Sequence, residues 1–324
     1  MKTLALAFAL LSTATALAQS PSYRVPRTPD GQPDIQGFWT NSTYTPLERP
    51  KGVTKEFYTA AEAEALIKKA AQGESAQTTP GTPADVHYDF SQFGLDRSQS
   101  TFVRSLRTSL IVDPPDGKIP PLTEEGKRRL AAREAEQKKL GGRWDSAESN
   151  QLDDRCLIMV GAGPPMMDAA YNANYHIVQT AGYVMILTEM IHDARIIPLD
   201  GRAAPDQKVR QWMGVSRGRW DGDTLVVETT NFNAKNPFNG SDENLKVIER
   251  FRRVADDAIE YRFTIDDPTM WVRTWTAESA LKKTVGPIFE HACHEGNFGL
   301  YNTLVGARLE EQRAAEEAAR KGAK

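Results

Sequence analysis

The stretch Gly286-Pro-Ile-Phe-Glu-His-Ala-Cys-His-Glu-Gly-Asn-Phe-Gly299 gathers two of the chain's five histidines, one of its two cysteines and two carboxylates. His291 and His294 are three residues apart, so on one helical turn they would share a face and could share a metal or a substrate. Glu295 follows the second histidine, which matches neither His-Glu-x-x-His nor His-x-x-Glu-His. A zinc site here would need a third protein ligand, with His192 the first choice and His176 the next. The reading taken is acid–base chemistry without a cofactor. A metal at His291 and His294 is the alternative. The bland version buries one histidine in a hydrogen bond and leaves the other exposed beside a disulfide.

A second constellation is Ile191-His192-Asp193-Ala-Arg195, placed in a tight connection just after Glu189. A histidine beside a carboxylate can act as an oriented general base, and an arginine there can hold an oxygen-rich or anionic ligand. The competing reading is turn chemistry, with Arg195 pairing to Glu189 across the hairpin. Taken together, the candidate catalytic residues are His192, Asp193, His294 and Glu295. Arg49, Tyr171, Asn174, His176, Arg195 and His291 are the candidate substrate contacts.

The N-terminus sets the compartment. Met1-Lys2-Thr3, an apolar run at 4–11 and the small residues Ala16-Leu17-Ala18 spell a signal peptide over 1–18. That run is much shorter than the roughly 20 apolar residues a membrane span needs. The expectation is a periplasmic or secreted chain, with 19–324 forming one barrel-like domain with helical insertions and a C-terminal helix. In an oxidising compartment, Cys156 and Cys293 favour a disulfide over a nucleophilic or metal-binding thiolate at Cys293. Forty basic residues against forty-three acidic ones give a net charge of −3. Mixed signs and no basic face argue against a nucleic-acid partner.

The elements that must position these groups are mostly strands. Apolar or alternating runs at 34–39, 109–113, 175–180, 183–190, 194–199, 215–220, 224–230, 245–254, 258–265, 270–277 and 281–285 are joined largely by short turns. Asp221-Gly222-Asp223 is a strong hairpin signal. Helices are expected at 60–71 behind the capping box Thr59-Ala-Ala-Glu62, at 123–140, and at 309–324. Residues 72–84 read as a polar linker. The class is mainly β: an antiparallel up-and-down meander closing into a barrel with a few peripheral helices, a β-sandwich being the alternative.

In the run 258–265, Ile259, Tyr261, Phe263 and Ile265 share one face. In 245–254, Leu245, Val247 and Phe251 share theirs with Glu249 and Arg253. A carboxylate on an apolar face is costly unless paired. Either Glu249 pairs with an arginine at a barrel rim, or the barrel holds polar groups in a cavity. The loop Gly161-Ala-Gly-Pro-Pro-Met-Met, running on through Tyr171 and Asn174 to His176, suits a lid over an organic ligand or packing around Cys156. Most tryptophans of β proteins are core, and Trp212, Trp220, Trp271 and Trp275 are read that way. No Gly-x-Ser-x-Gly elbow, phosphate loop, dinucleotide fingerprint or EF-hand loop is present.

Several phrases together resemble a family of secreted bacterial proteins of unassigned function. They are Asp34-Ile-Gln-Gly-Phe-Trp39 with Thr45-Pro-Leu-Glu-Arg-Pro50, Ile111-Val-Asp-Pro-Pro-Asp-Gly117, Arg217-Gly-Arg-Trp-Asp-Gly-Asp-Thr-Leu-Val-Val-Glu-Thr-Thr230 and Ala292-Cys-His-Glu-Gly-Asn297. The likeness covers most of the mature chain and implies secretion and one domain. The strand pattern is similar to the lipocalin (calycin) architecture, and fold alone does not give function.

The functional expectation is an extracytoplasmic enzyme of lyase, isomerase or hydrolase type. It would act on a small oxygenated, ring-containing molecule in a barrel pocket. The alternatives are a carrier of an apolar or aromatic ligand and a metal-dependent enzyme built on His291 and His294.

Overall fold

Residues 23–74, 102–142, 144–159, 161–167 and 173–322 are described by the structure, a computed structural model. The signal peptide, Tyr171 and most of the expected linker at 72–84 lie outside the described residues.

Ten antiparallel strands and three helices make up the fold: β1 (Gly37–Thr40), α1 (Ala60–Glu74), β2 (Ile111–Asp113), α2 (Glu124–Lys139), β3 (Asn174–Gln179), β4 (Tyr183–Thr188), β5 (Ala194–Pro198), β6 (Val215–Asp221), β7 (Thr224–Thr230), β8 (Lys246–Ala255), β9 (Ala258–Asp266), β10 (Trp275–Lys283) and α3 (Phe298–Gly322). Strand order is β5-β4-β3-β1-β10-β9-β8-β7-β6, with β2 paired to β10 off this path. The expected meander is therefore present. It curls into a nearly closed barrel in which β1 joins the first strands to the last, an arrangement compatible with a lipocalin-like fold.

Closure fails at one seam for a topological reason. Every step along the path is antiparallel, and eight such steps separate β5 from β6. The two end strands therefore run the same way, and no hairpin can join them. The chain instead returns along the barrel through residues 199–214. That return is clamped by Asn231, whose Nδ2 donates to the carbonyls of Asp206 (3.0 Å) and Val209 (3.0 Å). Side chains close the seam. Gly218 on β6 is approached so tightly that a Cβ there would lie 2.8 Å from both Ile197 and Leu199. Only glycine lets β6 come this near.

The barrel interior is filled. Trp39, Tyr175, Phe251, Tyr261, Phe263 and Trp275 are each at most 2 % exposed and belong to one continuous core. Trp271 and Trp275 meet edge to face at 5.9 Å, the arrangement aromatic quadrupoles prefer. Trp212 and Trp220 are only half-buried. The segment 161–167 plugs one end: Met166 enters the core, and its backbone N–H donates to the Tyr261 hydroxyl at 2.8 Å. The described part of this loop packs into the barrel core.

Several boundaries differ from expectation. The runs 270–277 and 281–285 are replaced by one strand, β10, over Trp275–Lys283, preceded by a turn at 270–274. The polar interruption at Glu278 looked like a turn, but Glu278 faces Arg262 across the ladder and pairs with it at 2.6 Å. Helix α3 starts at Phe298 rather than near 309, because Asn297 caps it by accepting from Leu300 N–H at 3.2 Å. Helix α1 runs on to Glu74, past the expected end at 71.

The two barrel ends differ in what they carry. At one, the leader is fixed by Tyr23 to Asp256 (3.0 Å), Arg27 to Asp223 (2.6 Å) and Gln32 to the Ala181 carbonyl (2.9 Å). The other end holds the β4–β5 connection, and with it His192.

Candidate active site

After β10 the chain leaves the barrel wall as a strap. Thr284 N–H donates to the Phe38 carbonyl at 3.0 Å, and Gly286 lies flat on the Phe38 ring, where a Cβ would come within 2.1 Å of Cδ2. Phe38 in turn stacks on His176 at 4.3 Å on the outer face of β1 and β3. His176 is thus held on the outside of the wall by an aromatic neighbour.

The strap then reaches the β4–β5 connection. Phe289 N–H donates to Glu189 Oε1 at 3.3 Å, while Asn174 Nδ2 donates to Glu189 Oε2 at 2.6 Å. Glu189 is buried, so these bonds supply part of what a buried carboxylate requires. Two residues further on, His192 Nδ1 lies 3.1 Å from the carbonyl oxygen of His291. A carbonyl only accepts, so the Nδ1–H is the donor. The neutral ring then carries its lone pair on Nε2, on an exposed side chain.

The turn that presents His192 is strained. Met190–His192 forms a single 3-10 turn in which Ile191 has φ 60° and His192 φ 45°. Left-handed backbone is disfavoured for any side chain and most of all for a β-branched one. Such outliers persist where surrounding contacts fix them, and they cluster at functional sites. Here Thr188 N–H donates to the Asp193 carbonyl at 2.9 Å and closes the loop.

Electrostatics push both neighbours of His192 toward their neutral forms. Burial raises the Asp193 carboxyl above its ordinary value, against the opposing effect of the His192 charge. Burial lowers His291 below 6.5; the His192 charge adds to the shift, and a backbone hydrogen bond opposes it. Because the folded state resists protonating His291, its contribution to stability is present above 6.5 and is lost as pH falls from there through the depressed folded value. His291 is half-buried.

Cys156 and Cys293 form a disulfide with Cα atoms 5.6 Å apart, and Asn297 Nδ2 donates to the Asp154 carbonyl at 2.9 Å beside it. The strap is therefore pinned two residues after His291.

The two histidine-bearing stretches thus adjoin through His192 and His291, with Asp193 next to them and the Asn174–Glu189 pair beneath. His294 and Glu295 are exposed in the turn before α3. Among the described residues, no three His, Cys, Asp or Glu side chains gather as a metal would need. Arg195 points the other way, into the barrel, where it pairs with Glu249 (Nη1 to Oε1 3.1 Å) rather than with Glu189. Arg49 is buried in the loop region, donating through Nε to Thr108 (3.1 Å) and through Nη2 to the Pro115 carbonyl (3.1 Å). Glu189 is the member that sequence reasoning did not select. Its signal was a carboxylate ending the apolar run 183–190, where a strand must stop and a buried acid needs donors.

No protein-family model matches the chain, and no curated protein matches it significantly. The likeness to secreted bacterial proteins therefore rests on the sequence phrases alone. Among the described residues no helix is long and apolar enough to cross a membrane.

Proposed function

We propose that the protein is an extracytoplasmic acid–base enzyme acting on a small oxygenated organic molecule at the barrel rim. One observation carries this reading: the hydrogen bond from His192 to the His291 carbonyl, which joins two separate histidine stretches and, in the neutral ring, puts the lone pair on the exposed Nε2. In this scheme Nε2 removes a proton from the substrate. Asp193, its carboxyl shifted toward the protonated form, returns one, and neutral His291 flanks the reacting group. The packed interior supports a rim site over one in the lumen, and it weighs against a carrier that holds its ligand inside the barrel. The disulfide fits an oxidising compartment.

The test is turnover. A panel of small lactones, hydroxy acids and enolisable ketones is offered to the parent protein and to His192→Ala, with circular dichroism as the check on folding. The reading expects turnover by the parent of at least one compound and its loss, by about 10²–10⁴-fold, in a folded His192→Ala. Parental turnover in that variant contradicts it.

A further inference from the structure

Helix α1 is built to cover something. Its apolar residues Ala63, Leu66, Ile67 and Ala70 stand at i, i+3, i+4 and i+7, the spacing of a stripe that normally packs into a core. Here the stripe faces a cavity of about 430 Å³, walled on its far side by Tyr44, Tyr58 and Val103. Ala63 is buried, yet Leu66 keeps 45 % of its surface exposed. The volume lies within the range of small-molecule sites, which are mostly apolar with a few polar groups that fix orientation.

The frame of this cavity is cross-linked at several points. Thr59 and Glu62 form the helix-capping box, with Thr59 N–H donating to Glu62 Oε2 at 2.8 Å. The facing segment is laced to it by Tyr58 N–H to the Leu106 carbonyl (2.7 Å) and by the ion pairs Arg107–Glu56 (2.8 Å) and Arg104–Glu64 (2.7 Å). The cavity therefore does not depend on one weak contact.

Its charge is one-sided. Lys69 and Arg107 line it, and no aspartate or glutamate does among the described residues. Arg107 is already paired with Glu56 and Glu278. Lys69 makes no ion pair among the described residues. An apolar wall with an ammonium at its edge that no described carboxylate neutralises is complementary to a hydrophobic body bearing one negative charge.

We propose that this cavity is a second binding site, separate from the histidine cluster, for a small apolar or aromatic molecule carrying a carboxylate or sulfonate. The body lies on the Leu66 and Ile67 stripe and the tyrosine rings, and the anion meets Lys69. No residue of the histidine cluster lines it, so occupancy does not require the reaction at the rim.

The probe is 8-anilinonaphthalene-1-sulfonate, followed by fluorescence with the full chain, with the neutral N-phenyl-1-naphthylamine as comparator. The parent should bind the sulfonate saturably, one per chain. Ile67→Glu should weaken it by at least about tenfold, since it places a carboxylate in the apolar wall. Lys69→Gln should weaken the sulfonate by about threefold at low salt while leaving the neutral probe unchanged. His192→Ala should bind both as the parent does. Leu66→Gln, at a half-exposed position, repeats the wall test if Ile67→Glu fails to fold. Absence of saturable binding, or parental affinity in Ile67→Glu and Leu66→Gln, overturns the site. Parental sulfonate affinity in Lys69→Gln overturns its anionic specificity.

Discussion

Replacing Glu249 by leucine should cost about 3–5 kcal/mol of folding stability, the usual penalty for stranding one member of a buried ion pair. Glu249 is 0 % exposed and lies inside the barrel. Its carboxylate receives both ends of the Arg195 guanidinium and the Tyr261 hydroxyl, the latter at 2.9 Å. Arg195 also donates to Ser216 (2.8 Å) and Thr229 (3.1 Å). Ser216 is on β6 and Arg195 on β5, so the network spans the one gap where backbone hydrogen bonds are missing. Without Glu249 the guanidinium is held in the core with no counter-charge, at the place where the barrel has fewest bonds to spare. Burial, the largest cause of the raised Tyr261 pKa, persists in the variant and disfavours a phenolate that could supply that charge.

The paired replacement Arg195→Met with Glu249→Leu removes both charges and should recover most of the loss. Urea unfolding of parent, single and double variants measures this directly. A Glu249→Leu protein within about 1 kcal/mol of the parent would show that the seam is held by its apolar contacts, such as Gly218 against Ile197.

The second large effect concerns the disulfide. Cys156 and Cys293 are separated by 137 residues, and in the chain-entropy view closing so long a loop stabilises the folded state by about 4–5 kcal/mol. Cys156→Ser with Cys293→Ser should lose an amount of that order in guanidinium unfolding. Reduction of the parent should reproduce the loss. The consequence for the site follows from position. His291 precedes Cys293 by two residues, and the strap otherwise meets the β4–β5 connection through single hydrogen bonds such as Phe289 to Glu189. The variant should therefore lose the His192–His291 contact before the barrel unfolds. Unchanged stability together with unchanged histidine titration would show that those single bonds suffice.

Much of the barrel was legible because half-buried strands announce themselves. The alternation of Ile259, Tyr261, Phe263 and Ile265 gave both the strand and its inner face. The short turns, Asp221-Gly222-Asp223 above all, gave antiparallel neighbours. The odd strand count that leaves β5 and β6 parallel was not legible, since it depends on β1 entering between β3 and β10. For Glu249, the pattern left open an arginine partner at the rim or a polar cavity, and the partner proved to be Arg195 inside the barrel. Arg195 reads as a ligand contact or a partner of Glu189 because it follows His192 and Asp193, but the alternation of β5 turns residue 195 inward while 192 stays out. Cysteine count and compartment gave the disulfide. The meeting of His192 with His291 follows from the strap crossing the outer wall, a path set by Gly286 on Phe38 that no periodicity encodes.

The most direct test of the central claim is a proton NMR titration of the imidazoles, resolved by single substitutions. If the two stretches form one site, His291 titrates below 6.5 in the parent, and its value rises in His192→Ala as the neighbouring charge is removed. The burial contribution should persist, so the rise should be partial. If His291 instead titrates at 6.5 and is indifferent to His192, the two histidines do not form one site, and the acid–base assignment fails with them.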